Sequence, residues 1–139
     1  MVKKWCTSFL IICLILTATE ATSFAVVKEP DASVMVLYCH SVSANLTISS
    51  DGTAEATGKI NGLIGTTTKT TVHLYLQQYK DGKWIDIGDW IDSGETVNRT
   101  LIKQKSVEKG YKYRAKASCY AYAGKNYEHI TKYSGEVCY

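Results

Sequence analysis

The sequence lacks several features that mark common functional classes. Lysine and arginine together number 16 against 13 aspartates and glutamates, so the chain has no strong positive charge for nucleic acid and no polybasic grip on a membrane surface. Its longest apolar run, Phe9–Leu16, is shorter than the roughly 20 residues that a membrane-spanning helix needs. We therefore expect neither nucleic acid nor, in the mature protein, a membrane as a partner.

Motifs for nucleophilic catalysis and metal binding are missing as well. No serine occupies a G-x-S-x-G motif, and His40, His73 and His129 are scattered without the spacing of a ligand pair. His73 and His129 share the predicted outer side of neighbouring strands, where ordinary surface histidines are expected. Cys119 and His129 would be neighbours across a hairpin, but alternation places them on opposite faces, which disfavours a thiol enzyme.

Three acids, Asp86, Asp89 and Asp92, recur at intervals of three residues beside two tryptophans. This spacing suits calcium or a sugar, but acids on a solvated strand and loop explain it more simply. We predict a protein that is not an enzyme and that uses no cofactor or metal ion.

The first residues have the features of a secretory signal. Lys3 and Lys4 are positive, the apolar run Phe9–Leu16 follows, and small residues lie near Ala25, after which we expect cleavage. Cleavage after Ala21 is the alternative. The mature protein is therefore predicted to be secreted, either extracellular or associated with the cell envelope.

Removal of residues 1–25 leaves 114 residues with a net charge of +2, which suffices for one domain with its own core. Residues 26–43 are predicted to be a polar leader around Pro30, the only proline. Within it, Val34–Cys39 either adds an edge strand or covers one end of the core. Residues 44–139 are predicted to form the folded domain.

Cys39, Cys119 and Cys138 remain after removal of the signal. Three is an odd number, so one disulfide with one free thiol is plausible in an oxidising compartment. Cys119 alternates with inward alanines and is expected to be a small buried hydrophobe. Cys39 with Cys138 would tie the two chain ends together, but the sequence does not fix the pair.

The clearest structural signal is the alternation between Val107 and Gly124. Its odd positions from Tyr111 to Ala121 carry small or aromatic groups, and its even positions from Lys112 to Ser118 are polar, which predicts a central strand. Tyr113 follows the Lys109-Gly110 turn, so its hydroxyl is expected to bond back to loop backbone as a tyrosine corner.

Other segments alternate in the same way between turn residues. Asn45–Ser50 and Ala54–Ile60 are joined by Asp51-Gly52, and Thr70–Lys80 and Trp84–Ile91 are joined by Asp81-Gly82, so each pair predicts a hairpin. Further strands are expected at 96–105, where Arg99 and Ile102 interrupt the alternation and indicate a bulge, and at 127–133.

About seven short strands without a helical period predict an all-β fold, a single sandwich preceded by the signal peptide. A closed barrel is the alternative. Small inward residues around Ala54 and Ala115, opposite bulky Leu74 and Leu76, favour two sheets packed face to face. The segments 70–80, 107–122 and 127–133 are expected to share one sheet.

The motifs N-L-T-I-S-S-D-G-T-A, T-T-V-H-L-Y-L-Q-Q-Y-K-D-G-K-W, V-E-K-G-Y-K-Y-R-A-K-A and Y-E-H-I-T-K-Y-S lie between Asn45 and Ser134. Together they resemble a family of small exported proteins of clostridia and related Gram-positive bacteria, a domain of unknown function. The resemblance implies export and a sandwich similar to fibronectin type III or immunoglobulin domains, and it implies no catalytic or binding residues. The three cysteines of the mature chain are not part of the family pattern.

The sheet side away from the core is predicted to be rich in tyrosine. Alternation places six rings there: Tyr75, Tyr79, Tyr120, Tyr122, Tyr127 and Tyr133. Such rings support a sheet through cross-strand pairs, and they also make adaptable contacts with proteins or stack on sugars. We predict a secreted, non-catalytic module that binds an unknown protein, and carbohydrate or cell-wall binding through the same rings is the alternative.

Overall fold

The computed structural model describes residues 37–139, which form an all-β fold of two antiparallel sheets packed face to face. Both predicted cleavage sites and most of the leader lie outside these residues. No helix between residues 37 and 139 is long and apolar enough to cross a membrane.

Eight strands make up the two sheets. They are β1 (Cys39–Ile48), β2 (Thr53–Gly62), β3 (Lys69–Lys80), β4 (Lys83–Gly94), β5 (Asn98–Ser106), β6 (Lys112–Ala123), β7 (Asn126–Tyr133) and β8 (Val137–Cys138). The small sheet has the order β1-β2-β5, and the large sheet has the order β4-β3-β6-β7, with β8 paired to β6. Within residues 37–139 no strand pairing joins the two sheets, so the barrel alternative is wrong.

Turn residues set the predicted hairpins. Gly52, at φ 86°, ends the loop between β1 and β2, and Asp81 and Gly82, at φ 51° and 77°, form the two-residue turn between β3 and β4. The segments 70–80, 107–122 and 127–133 share the large sheet, as predicted, in the form of β3, β6 and β7. The first strand begins at Cys39, five residues before the domain start that the sequence predicted.

The core lies between the sheets and follows the predicted alternation. Val72, Leu74 and Leu76 of β3 are fully buried, as are the inward residues of β6 from Tyr113 to Ala121. The Tyr113 hydroxyl donates to the Glu108 carbonyl at 2.7 Å, which confirms the predicted corner. These contacts fix β6 at the centre of the large sheet and turn its even-numbered residues outward.

The predicted bulge in β5 is wrong. β5 pairs with β2 without a register shift, and Arg99 points inward because its guanidinium bonds to the Asp92 carboxylate on β4. Ile102 is simply an exposed residue of the outer side. Register shifts occur instead in β1, between Cys39 and Ser41, and in β4, where Ile87 is the extra residue between the pairs Leu76–Gly88 and Gln77–Asp86.

The suggested pair of Cys39 and Cys138 is also wrong. Cys39 lies at the beginning of β1. Cys138 lies near the other end of β1, because it pairs with Lys112 of β6 and the next residue, Tyr139, donates its hydroxyl to the Ser50 carbonyl just after β1 ends. At about 3.3 Å per residue, the length of β1 separates the two cysteines by roughly 30 Å. All three cysteines in the described chain are free thiols.

Candidate functional site

The outer side of the large sheet carries seven aromatic side chains and is called here the aromatic face. It holds all six tyrosines that the sequence placed there, and one tryptophan that the sequence did not single out: Tyr75, Tyr79, Trp84, Tyr120, Tyr122, Tyr127 and Tyr133. The register brings them together because outward residues of β3, β6 and β7 lie side by side. Their role in binding stays a prediction.

Three tyrosines at one end of this face form a tyrosine cluster. The ring centroid of Tyr120 lies 6.3 Å from that of Tyr122 and 5.9 Å from that of Tyr127, and Tyr122 and Tyr127 are 5.8 Å apart. His129 stacks on Tyr120 at 4.4 Å. Tyr127 is 60% exposed, so this cluster presents at least one ring to a partner.

A second group, the arginine cluster, lies at the other end. The Arg114 guanidinium carbon is 4.1 Å from the centroid of the Trp84 ring and 4.3 Å from that of Tyr133. Tyr79 contacts Trp84 at a centroid distance of 5.2 Å. Tyr133 and Tyr79 are 50% and 40% exposed. Cation–π contacts of this kind hold flexible side chains in one place.

Tyr75 lies between the two clusters. The Lys116 ammonium is 4.5 Å from its ring centroid, and its hydroxyl is 2.9 Å from His73 Nδ1. The other ring nitrogen of His73 donates to Asp89 at 2.5 Å. Burial raises the pKa of Tyr75 above its usual value, and the nearby carboxylates Asp89 and Asp86 add to the effect. Tyr75 is thus held as a neutral hydrogen-bonding ring.

The two histidines of the aromatic face have separate partners. His73 on β3 binds Asp89, whereas His129 on β7 lies 2.6 Å from the Ser118 hydroxyl through Nε2. Ser118 stands between them on β6, opposite His73 in the register. A hydrogen-bonded Ser–His pair and an Asp–His pair therefore occur on the same face without joining into one Ser–His–Asp chain among residues 37–139.

The three regularly spaced acids of β4 do not converge. Asp86 accepts from Gln77 Nε2 at 2.6 Å, Asp89 accepts from His73, and Asp92 accepts from Arg99. No group of three or more His, Cys, Asp or Glu side chains in the described part of the chain could hold a metal ion. Each of the three acids thus has a partner of its own and shares none with the others.

The cysteine side chains lie on the inner side of the sheets or at an end of the domain. Cys119 is buried and faces inward, while His129 faces outward, as predicted. Burial, together with nearby Cys39, raises the pKa of Cys119 to about 12. Burial and then the Glu128 carboxylate raise the pKa of Cys39. These two thiols are therefore poor nucleophiles.

A groove beside the tyrosine cluster has His129, the residue that stacks on Tyr120, in its lining. It runs between the edge strands β1 and β7, with a volume of about 600 Å³, and its lining includes Val42, Ile130 and Lys132. None of its lining residues is acidic. The aromatic face, on which the rings are grouped, is the better candidate site.

No protein-family model matches the sequence, and no curated protein matches it either. The aromatic face itself is therefore the basis for an inference about function. The resemblance to the clostridial family stays a prediction.

The sequence does not predict that Trp84 and Arg114 belong to the site. Trp84 and Ile85 are adjacent apolar residues, so the sequence does not reveal which of the two side chains faces outward. The bulge at Ile87 also changes which residues of β4 face outward on either side of it. The alternation identifies Arg114 only as a polar residue of the outer side. Its position opposite Gln77, next to two ring faces, depends on the register of three strands and is not encoded by its neighbours in sequence.

Proposed function

We propose that the chain is an exported, non-catalytic interaction module of the fibronectin type III or immunoglobulin type that binds a protein partner through its aromatic face. The strand order supports the domain type: the small sheet takes the first, second and fifth strands, and the large sheet takes the fourth, third, sixth and seventh. The pairing of β4 with β3, and not with β5 of the small sheet, favours the fibronectin type III variant.

One observation carries the choice of site. Aromatic side chains from four adjacent strands occupy one side of one sheet, and three of them are at least 40% exposed: Tyr79, Tyr127 and Tyr133. Tyrosine supplies a large rigid contact area at low entropic cost, with a hydroxyl for hydrogen bonding. Exposed apolar groups of this size, grouped on one surface, are typical of protein contact sites.

The cations on the face favour a protein over a sugar. Carbohydrate rings stack on open aromatic faces, but Lys69 lies 5.3 Å from the Tyr122 centroid, Lys116 covers Tyr75, and Arg114 lies between Trp84 and Tyr133. A sugar would have to displace these cations before it could stack. Of the exposed tyrosines on this face, Tyr133 carries a cation over its ring, whereas Tyr79 and Tyr127 carry none from within residues 37–139.

Capture of a partner tests the proposal. The chain from residue 26 onward is immobilised and exposed to culture supernatant and cell-envelope extract, and bound proteins are identified by mass spectrometry. We expect Tyr127→Ala and Tyr133→Ala together to abolish retention of a partner that the unmodified chain retains. Ile102→Ala is the matched control, because Ile102 is 53% exposed on the outer side of the small sheet.

Two results would count against the proposal. Retention that survives the double change, or that fails equally in Ile102→Ala, removes the aromatic face as the binding site. Binding to a glycan array or to peptidoglycan that depends on Tyr127 would instead favour the carbohydrate alternative.

A further inference from the structure

Arg114 is the most restrained cation of the aromatic face. Its guanidinium lies between the rings of Trp84 and Tyr133, at 4.1 and 4.3 Å from their centroids. Its Nε donates to Gln77 Oε1 at 2.7 Å. Gln77 is itself 7% exposed, and its amide donates to Asp86 at 2.6 Å. The side chain is therefore fixed from three directions.

The two terminal nitrogens of Arg114 remain available. Within residues 37–139 neither of them makes a hydrogen bond, and no carboxylate lies within salt-bridge distance of them. Neither nitrogen is buried, so both are accessible to solvent. The guanidinium is held by the hydrogen bond of Nε and by the rings of Trp84 and Tyr133. Its two terminal nitrogens therefore present a fixed fork of N–H groups, which fits a carboxylate in bidentate geometry.

The charged residues around Arg114 also favour a carboxylate as its ligand. Lys112, Arg114 and Lys116 follow one another at every second position of β6, so their positive groups form a row on the aromatic face. Lys112 pairs with Glu136 at 3.4 Å, but Lys116 has no carboxylate partner among the described residues. Outward acids of the same sheet lie on β4, where Gln77 and His73 already bind them.

We infer that Arg114 is a preformed carboxylate-binding site, and that the partner of the aromatic face presents an acidic protein segment to it. This inference rests on the proposed function for the identity of the partner as a protein. An extended segment suits the row on β6, because its alternate side chains repeat at about 6.7 Å, the spacing of residues two apart on a strand. Fixing the fork in advance reduces the entropic cost of binding.

A titration with defined peptides tests the site without the natural partner. The probe is a blocked octapeptide of alternating glutamate and valine, and its control has glutamine in place of glutamate. We follow the Arg114 Nε–H and Trp84 indole N–H resonances of the ¹⁵N-labelled chain from residue 26 onward. The glutamate peptide is expected to shift both resonances in a saturable manner, and the glutamine peptide is expected to shift neither.

Two variants then distinguish the bidentate geometry of Arg114 from a general effect of positive charge on peptide binding. Arg114→Lys keeps the charge and loses the fork, so it should weaken binding of the glutamate peptide by roughly tenfold or more. Lys103→Gln removes a charge from exposed β5 and should leave binding unchanged. Thermal unfolding of each variant establishes that the fold persists.

Three outcomes overturn the carboxylate site: no saturable shift, equal shifts with the glutamine peptide, or undiminished binding by Arg114→Lys. A response to sodium sulfate as strong as that to the peptide, at equal ionic strength, would show a general anion site instead. Because this titration needs no natural partner, its failure is distinct from a failure of the capture experiment. Capture lost in the tyrosine double variant but retained in Arg114→Lys would leave the proposed function standing and remove this inference.

Discussion

Gly58 on β2 lies directly against Ala117 on β6, at a point between the small and large sheets where neither residue has a long side chain. A methyl group at Gly58 would lie 3.2 Å from the Ala117 Cβ atom, 2.9 Å from Val72 Cγ1 and 3.3 Å from Leu74 Cδ1. Such distances are shorter than ordinary carbon contacts. The alternation of small inward residues on both strands thus sets the separation of the sheets.

We expect Gly58→Ala to destabilise the domain by about 1–3 kcal/mol, because the added methyl group forces fully buried side chains apart. Chemical denaturation monitored by tryptophan fluorescence measures the change. Gly135→Ala is the matched control, since a methyl group there meets no atom within 4 Å. Equal stability of the two variants would show that the sheets can separate at no cost.

The tyrosine corner gives a second prediction about stability. The Tyr113 hydroxyl donates to the Glu108 carbonyl and accepts from Gln78 Nε2 at 3.1 Å, while its ring is fully buried. In Tyr113→Phe the Glu108 carbonyl and the Gln78 amide both lose the hydroxyl that they bond to. We therefore expect a loss of about 1–3 kcal/mol in the free energy of unfolding. Tyr111→Phe removes a hydroxyl that makes no hydrogen bond among the described residues. An equal loss in both variants would contradict the corner's role.

The fold could be predicted largely from local patterns. Two-residue alternation in β3 and β6, with Asp-Gly turns beside β1, β2, β3 and β4, depends only on neighbouring residues, and these elements were predicted correctly. The same alternation placed six tyrosines on one face. It could do so because every second residue of a regular strand must face the same way.

Features that depend on how strands pair with or contact one another could not be predicted. Arg99 looks like an interruption of a strand until Asp92 of the neighbouring sheet is seen to bind it. Ile87 gives no local sign of a bulge. Cys39 and Cys138 are both close to an end of the mature sequence, yet strand direction places them at opposite ends of the domain. Contacts between strands, which the alternation within one strand does not reveal, decided each of these cases.

Glu128 anchors the beginning of β1, which could not have been foreseen from sequence either. Its Oε2 atom accepts hydrogen bonds from three successive backbone amides, those of Leu37, Tyr38 and Cys39, at 3.1, 2.9 and 3.0 Å. In Glu128→Ala these amides lose their acceptor. We expect faster hydrogen exchange at Tyr38 and Cys39, and a loss of roughly 1–3 kcal/mol in stability.

Glu128→Gln separates the carboxylate charge from the shape of the side chain, because an amide oxygen still accepts but without charge assistance. Its exchange rates at Tyr38 and Cys39 should lie between those of the unmodified chain and Glu128→Ala. Glu55→Ala, on the outer side of β2, serves as the control for loss of an acid. Unchanged protection of both amides in Glu128→Ala would mean that other contacts fix the start of β1.

The buried thiol of Cys119 predicts how stability changes in alkaline solution. Its pKa is about 12 in the folded protein, against an ordinary value of 9.0, because burial and then nearby Cys39 disfavour the thiolate. Below pH 9 both the folded and unfolded states keep the proton, so this thiol gives no pH dependence. Above pH 9 the unfolded chain releases it while the folded protein does not. The free energy of unfolding should therefore fall by up to about 1.4 kcal/mol per pH unit.

Cys119→Ala isolates this contribution, since the other groups that titrate at high pH are common to both proteins. We expect the difference in unfolding free energy between the unmodified chain and Cys119→Ala to be constant from pH 7 to about 8.5 and then to shift steadily in favour of the variant. Cys138→Ala, which alters an exposed thiol, should show no such shift. Parallel stability curves for the unmodified chain and Cys119→Ala up to pH 10.5 would mean that the thiol ionises as readily inside the fold as outside it.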